Sequence, residues 1–280
     1  MTEIFMKRPP HPGAQYGRKA PRNNATSWGP VAEWYGDLLE QDGTYQKELI
    51  LPNLMRLLQP RTGMTILDLA CGPGFFARAF AEAEATVIAA DIAPALIERA
   101  KKNAPKNITW HIAPADDMPF AKDASVDTAV IILAIQNIDN VYAVFQECAR
   151  ILKPGGTLGL VMNHPAFRIP EHASWGWDEE KKMQYRRVEE YMSESKHRIK
   201  MHPGGDPRVT TISYHRPLEF YFKALTKSGF LMNRLEEWIS HKKSQEGPRA
   251  SAENRIRKEI PLFLYLEARA PERRISGTTV

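Results

Sequence analysis

At 280 residues, with 43% hydrophobic and 25% charged side chains, the chain has the composition of a soluble globular protein: one large domain, or one domain with an insertion. No apolar run reaches the roughly 20 residues of a membrane span, and the basic N-terminus lacks the apolar core of a secretory signal. The net charge of +5 is unevenly spread, with 12 basic and 17 acidic residues in 23–177 but 18 basic and 12 acidic in 178–258; the basic part can meet an anionic substrate or nucleic acid, or be a solvated surface of mixed sign.

The two cysteines, Cys71 and Cys148, make no disulfide framework and have no metal-ligand spacing, so a reducing, cytoplasmic setting and no metal are expected. Residues 1–24 are rich in Pro, Arg, Asn and Gly and read as a flexible basic arm. Ser27 caps a predicted helix from about Pro30, with Val31, Trp34, Tyr35, Leu38 and Leu39 at helical spacing. A second helix is predicted over about 44–59, kinked or split by Pro52.

The stretch Thr65–Phe76 reads as a strand running into a tight glycine turn and then a helix. Gly72 and Gly74 remove Cβ atoms where a ligand must approach the backbone, and the next helix aims its N-terminal amides there. Two ligands fit at this point, besides an ordinary strand–turn–helix. Gly72-x-Gly74-x-x-Ala77, with Asp91 downstream, matches the dinucleotide fingerprint. Asp68 ahead of the glycines instead suits a cationic ligand, because a carboxylate would repel a pyrophosphate.

Strand two, Ala85–Ala90, ends on Asp91, whose carboxylate can accept from both hydroxyls of a ribose. Its removal is expected to weaken cofactor binding with little loss of fold stability. Strand three, Ile108–Ile112, leads to Asp116-Asp117-Met118, and strand four, Val126–Leu133, is apolar enough to be buried on both faces. After a helix comes Arg150-Ile151-Leu152-Lys153-Pro154-Gly155-Gly156, a helix stop, and then strand five, Thr157–Asn163.

These four features, in this order over residues 65–163, resemble the class I S-adenosylmethionine (SAM)-dependent methyltransferases, in particular the ubiquinone/menaquinone-biosynthesis type. The resemblance implies an α/β fold, with a doubly wound, mostly parallel seven-stranded Rossmann-like sheet and an antiparallel last strand. It implies SAM as cofactor, contacted by Tyr35, Asp68, Ala70, Cys71, Gly72, Gly74, Asp91, Ile92, Asp116, Asp117, Met118 and Ile132. Either Asp116 or Asp117 would accept from the adenine amine while Met118 lies on the ring, and Trp34-Tyr35 would close over the cofactor.

The implied domain spans residues 25–270, with 164–215 as an inserted substrate-side cover and 271–280 as a loose tail. Within that cover a helix is predicted at about 178–192, then a hairpin around Pro203-Gly204-Gly205-Asp206. A helix over 215–229, a strand at 231–239, a polar connection and a last strand at 260–270 follow. His164 and His215 are the candidate general bases, since imidazole titrates near neutrality. Arg168 and Trp175 are the candidate acceptor contacts, with Arg186, Arg187 and Arg216 as further anion-binding candidates. The expected reaction is methyl transfer to a small-molecule acceptor. An RNA or protein acceptor, or a non-catalytic SAM-binding module, stays open.

Overall fold

The structure, a computed structural model, describes residues 28–201, 206 and 208–272. The basic arm, Ser27, most of the Pro203–Asp206 loop and the tail from 273 lie outside the described residues.

In chain order, a 3₁₀ turn at Gly29–Val31 leads into α1 (Ala32–Glu40), and a π-helical turn at Gln46–Ile50 continues into α2 (Leu51–Leu58). Pro52 stands in the first turn of α2, directly after the π-helical turn, so the change from π to α winding falls at the proline. Strands and helices then alternate, except that a loop alone joins β3 to β4: β1 (Thr65–Leu69), α3 (Phe75–Glu82), β2 (Thr86–Asp91), α4 (Pro94–Lys101), β3 (Ile108–Ile112), β4 (Val126–Ile132), α5 (Val141–Ile151) and β5 (Leu152–Asn163). Four short strands follow, β6 (Ala173–Asp178), β7 (Met183–Val188), β8 (Ser195–Lys200) and β9 (Thr210–His215). The chain closes with α6 (Leu218–Lys227), β10 (Leu231–Trp238), α7 (Ala250–Arg257) and β11 (Phe263–Arg269).

Seven strands form one sheet in the order β10-β11-β5-β4-β1-β2-β3. Only β11 runs against its neighbours, as the sequence implied. Successive side chains of a strand point to opposite faces, and both faces are apolar. Leu67, Leu69, Ile131, Leu158 and Leu160 pack on one side against Phe145 and Cys148 of α5 and Leu225 of α6. Ile66, Val87, Val130, Val161 and Tyr265 pack on the other against Leu54 of α2 and Phe80 of α3. Strand order reverses between β1 and β4, so the carboxyl ends of these strands open the crevice where doubly wound sheets bind ligands.

Three expectations change. Residues 178–192 are not helical: β6 and β7 pair as an antiparallel hairpin, with Trp175 opposite Arg186 and Trp177 opposite Gln184. Their alternating side chains meet cross-strand partners, and Lys182 takes the left-handed conformation the turn requires (φ 48°). The polar connection after β10 contains α7. Strand five begins at Leu152, directly after α5; Gly155 at φ 68° and a register shift between Val126 and Thr128 bend its first residues into line. The β8–β9 hairpin forms where the sequence put it. Among the described residues no helix is long and apolar enough to cross a membrane.

Candidate cofactor and acceptor site

The crevice is organised by the turn after β1. Ala70 (φ 57°) and Gly72 (φ 57°) are left-handed, and the Cys71 N–H bonds the Ala90 carbonyl at 3.0 Å, fastening the turn to β2. The two glycines serve different needs. A Cβ on Gly72 would meet only the Tyr35 ring, 3.7 Å away, so that side of the turn is open to a ligand. A Cβ on Gly74 would sit 2.5 Å from the Trp110 indole and 3.1 Å from Ala100, so this glycine lets α3 seat against β3 and α4.

Two acids meet at the turn. Asp68 is 1% exposed, and its Oδ2 has no hydrogen-bond partner among the described residues. Burial, followed by the charge of Asp91, pushes the Asp68 carboxyl up to about 7, against a hydrogen bond from the Ala77 N–H. A buried carboxylate oxygen without a donor is costly unless a ligand supplies one. Asp91 is also buried; its Oδ2 accepts from the Gly72 N–H at 3.0 Å and its Oδ1 from the Ala93 N–H at 2.8 Å. Burial raises its pKa, and these backbone donors oppose the rise.

Tyr35 of α1 covers this corner. Burial and then the Asp91 charge push its hydroxyl up to about 12. Arg99 of α4 lies across Gly36 and holds α1 in place, pairing with Asp37 at 2.6 Å and with Glu33. Arg78 of α3 pairs with Glu40 at the far end of the helix. These clasps went unread in the sequence, although Glu33, Asp37 and Glu40 fall on one helical face.

Other expected cofactor contacts divide. Ile92 directly follows Asp91 and exposes 42% of its surface, an apolar face beside the acid. Asp116 and Asp117 lie in the tight turn after β3, closed by the Asp117 N–H on the Pro114 carbonyl at 3.3 Å. Met118 departs from expectation. It is 0% exposed and packed in the core with Phe145, because α5 grips its backbone: Glu147 accepts from its N–H at 3.0 Å and Arg150 donates to its carbonyl at 3.0 Å. It has no surface for a ring to lie on. Ile132 and Cys71 are buried in the opposite core.

On the acceptor side the histidines are tied into the fold. The Nε2 of His164 lies 2.7 Å from the Glu237 carboxylate and its Nδ1 accepts from the Ala166 N–H at 3.2 Å, while burial lowers its pKa. Both ring nitrogens are therefore engaged, which corrects its reading as a free base. His215, also buried, donates from Nε2 to the Tyr191 carbonyl at 2.8 Å. Arg216 is buried too, and donates to the carbonyls of Ile138 and Asp139 at 3.0 and 2.8 Å, fastening α6 to the loop after β4. Arg187 pairs with Glu189 at the surface. Gln136, in the loop after β4, donates to the Leu133 carbonyl at 2.7 Å, while its buried Oε1 has no partner among the described residues.

Arg168 and Trp175, the expected acceptor contacts, do come together. Both line a cavity of about 330 Å³ with Arg186, Arg257, Tyr45 and Phe167. Arg257 and Tyr45 escaped the sequence reading, since no local spacing links them to the others.

Residues 67–160 match the family described as a methyltransferase domain. The chain is 32% identical over 113 residues to a demethylmenaquinone methyltransferase of Tropheryma whipplei (strain Twist), which covers 39% of this chain and 46% of that protein. It is 33% identical over 114 residues to a ubiquinone/menaquinone biosynthesis C-methyltransferase of Rubrivivax gelatinosus, covering 40% of this chain and 45% of the other. The chain thus spans less than half the length of these curated relatives. Among solved structures, an S-adenosylmethionine-dependent methyltransferase from Mesorhizobium loti is similar with a TM-score of 0.64 and 26% identity, over 81% of this chain and 99% of that one. Glycine turn, sheet order and matched region agree: residues 67–160 form a methyltransferase domain, similar to SAM-dependent methyltransferases and, among curated proteins, to those of ubiquinone and menaquinone biosynthesis.

Proposed function

We propose that the protein transfers a methyl group from SAM to a small-molecule acceptor by in-line displacement. The observation that carries this reading is the unpartnered Oδ2 of Asp68, buried at the end of β1 beside the open side of Gly72. A ligand with a cationic ammonium matches that oxygen in charge and in donors, whereas a pyrophosphate does not. When bound, SAM supplies an electrophilic methyl group on a positively charged sulfur.

The chain's own residues then bind and orient. Asp68 receives the ammonium, Asp91 the ribose hydroxyls, Ile92 and the Asp116–Asp117 turn the adenine, and Tyr35 closes the corner over Gly72. Positioning supplies much of the rate in such a transfer. Because both nitrogens of His164 are engaged, no proton transfer is assigned to it.

Residues 164–215 serve as the acceptor-side cover. Their hairpins stand outside the sheet, after the carboxyl end of β5, and clasp the loop after β4 through the Asn137 amide on the Ile212 carbonyl at 2.7 Å. A small molecule suits the partly open cavity of about 330 Å³ beside this cover. The free, buried thiols of Cys71 and Cys148 suit a cytoplasmic setting.

Calorimetry with SAM, S-adenosylhomocysteine and NAD tests the cofactor. Binding of the first two without NAD is the expected result, and NAD binding alone overturns the reading. Mass analysis of cell extract treated with enzyme and methyl-labelled SAM then reports the acceptor class.

A further inference from the structure

The cavity that holds Arg168 carries an inference about the acceptor, resting on the methyltransferase reading above. Three arginines from separate segments converge there: Arg168 from the loop after β5, Arg186 from β7 and Arg257 from the end of α7. No carboxylate lines the cavity, and no salt bridge to any of the three occurs among the described residues. Each is instead held by neutral or aromatic groups. Arg168 lies over the Phe263 ring at 5.2 Å and Arg186 over the Trp175 ring at 4.9 Å. Arg186 Nε donates to the Phe167 carbonyl at 2.8 Å, and Arg257 Nε to the Ser244 hydroxyl at 3.2 Å.

Arg168 keeps more than a third of its surface exposed and lines the cavity, while protein atoms crowd its guanidinium. Burial, with the charge of Arg186 nearby, weakens its hold on its proton, against the influence of Tyr45. Like charges drawn together in a partly dry space oppose one another, and the fold brings no counter-charge to relieve them. Elsewhere on the surface, arginines such as Arg99, Arg150 and Arg249 do have carboxylate partners. What sets this cavity apart is that three arginines without such a partner among the described residues meet in it.

Its place in the fold suits an acceptor. Ile260, Pro261 and Leu262 line it directly before β11, a strand that lies three from β1 in the sheet order and starts at the same end as the glycine turn. The register sets Asp68 level with Glu267, four residues along β11 from Phe263; at roughly 4.8 Å per strand and 3.3 Å per residue, Phe263 stands about 20 Å from Asp68. One molecule of one or two rings spans the gap between an anion held here and a methyl group presented above β4. The half-exposed Trp175 (43%) and the Tyr45 ring give flat apolar walls on the way.

We infer that this cavity is an anion seat, in which Arg168, Arg186 and Arg257 take the carboxylate or phosphate of a small aromatic methyl acceptor. Planar guanidinium groups bind either anion in paired hydrogen bonds.

The test measures binding of benzoate, phenyl phosphate and inorganic phosphate to the full chain by calorimetry at low ionic strength, with neutral benzamide as control. S-adenosylhomocysteine is titrated separately. The aromatic anions should bind at least tenfold more tightly than benzamide. Arg168→Gln and Arg186→Gln should each weaken them about tenfold and leave S-adenosylhomocysteine binding unchanged, which also shows that the variants are folded. Equal binding of benzoate, phenyl phosphate and benzamide, or folded variants that bind the anions like the parent, overturns the inference. A short RNA oligonucleotide that binds through these arginines while the small anions do not also overturns it, in favour of a nucleic-acid acceptor. Charge-dependent anion binding without S-adenosylhomocysteine binding leaves the anion seat standing and removes the methyltransferase reading beneath it.

Discussion

Asp91 holds Gly72. The Gly72 N–H donates to Asp91 Oδ2 at 3.0 Å, so the acid that ends β2 also fastens the turn that follows β1. With Oδ1 bound to the Ala93 N–H, and the Ile92 N–H also bearing on the carboxylate, backbone donors hold Asp91 in place at the mouth of the crevice.

Asp91→Ala is therefore expected to reduce both binding and stability, where the sequence alone suggested binding only. Losing charge-assisted bonds to a ribose should weaken S-adenosylhomocysteine by about 1.5–3 kcal/mol. Leaving backbone donors unsatisfied should lower unfolding free energy by about 1–3 kcal/mol. Calorimetry and urea unfolding measure the two separately, and an unchanged urea midpoint would show that the turn does not depend on this acid.

Asp68 should make cofactor binding pH-dependent. Its carboxyl titrates at about 7 in the free protein, and a cationic ligand needs the carboxylate. Below that pH the acid must first release its proton, so affinity should fall by up to about tenfold per unit as pH drops from 7 to 5. Above 7 the affinity levels off. The same raised pKa stabilises the free fold at low pH, and that stabilisation is lost as pH rises from the unfolded value through 7. Asp68→Asn should flatten the profile and weaken binding at pH 8, which a pH series of titrations reads directly.

The two glycines of the turn should respond differently to alanine. Both substitutions carry a left-handed backbone cost of about 1–2 kcal/mol. Only Gly74→Ala also drives a methyl group into Trp110, at 2.5 Å, adding an overpacking cost of about 1–3 kcal/mol. Gly74→Ala should give the larger fall in melting temperature. Gly72→Ala should chiefly weaken the cofactor, since its new methyl occupies the open side under Tyr35. Similar losses of melting temperature in both variants would contradict this division.

Arg99→Ala should loosen α1 without unfolding the domain. Its partners Glu33 and Asp37 are largely exposed, so each ion pair contributes at most about 1 kcal/mol. Hydrogen exchange over residues 32–40 should quicken, and S-adenosylhomocysteine should dissociate faster, because Tyr35 rides on that helix. If exchange there matches the parent, α1 is held by packing and not by its clasps.

The glycine turn and its acids were legible in the sequence because they are local: Asp68, Gly72 and Gly74 lie within one strand and one turn. The strands of the sheet were legible because apolar runs buried on both faces have few other uses in a chain of this composition. The hairpin β6–β7 was hidden, since Glu179, Glu180, Lys181, Lys182 and Met183 are good helix formers and local preference argues for a helix. Tertiary contacts decide against it: Arg249, just before α7, stacks 4.5 Å over Trp177, and Arg186 is anchored to the Phe167 carbonyl. Met118 turned inward for a similar reason, since α5 clamps its backbone from 29 residues away. Whether a histidine or arginine is free or spent depends on partners brought by distant strands, such as Glu237 for His164. The chain by itself determined the sheet and the turn that binds; the packing of segments far apart in sequence decided which charged groups stayed unpaired and open to a ligand.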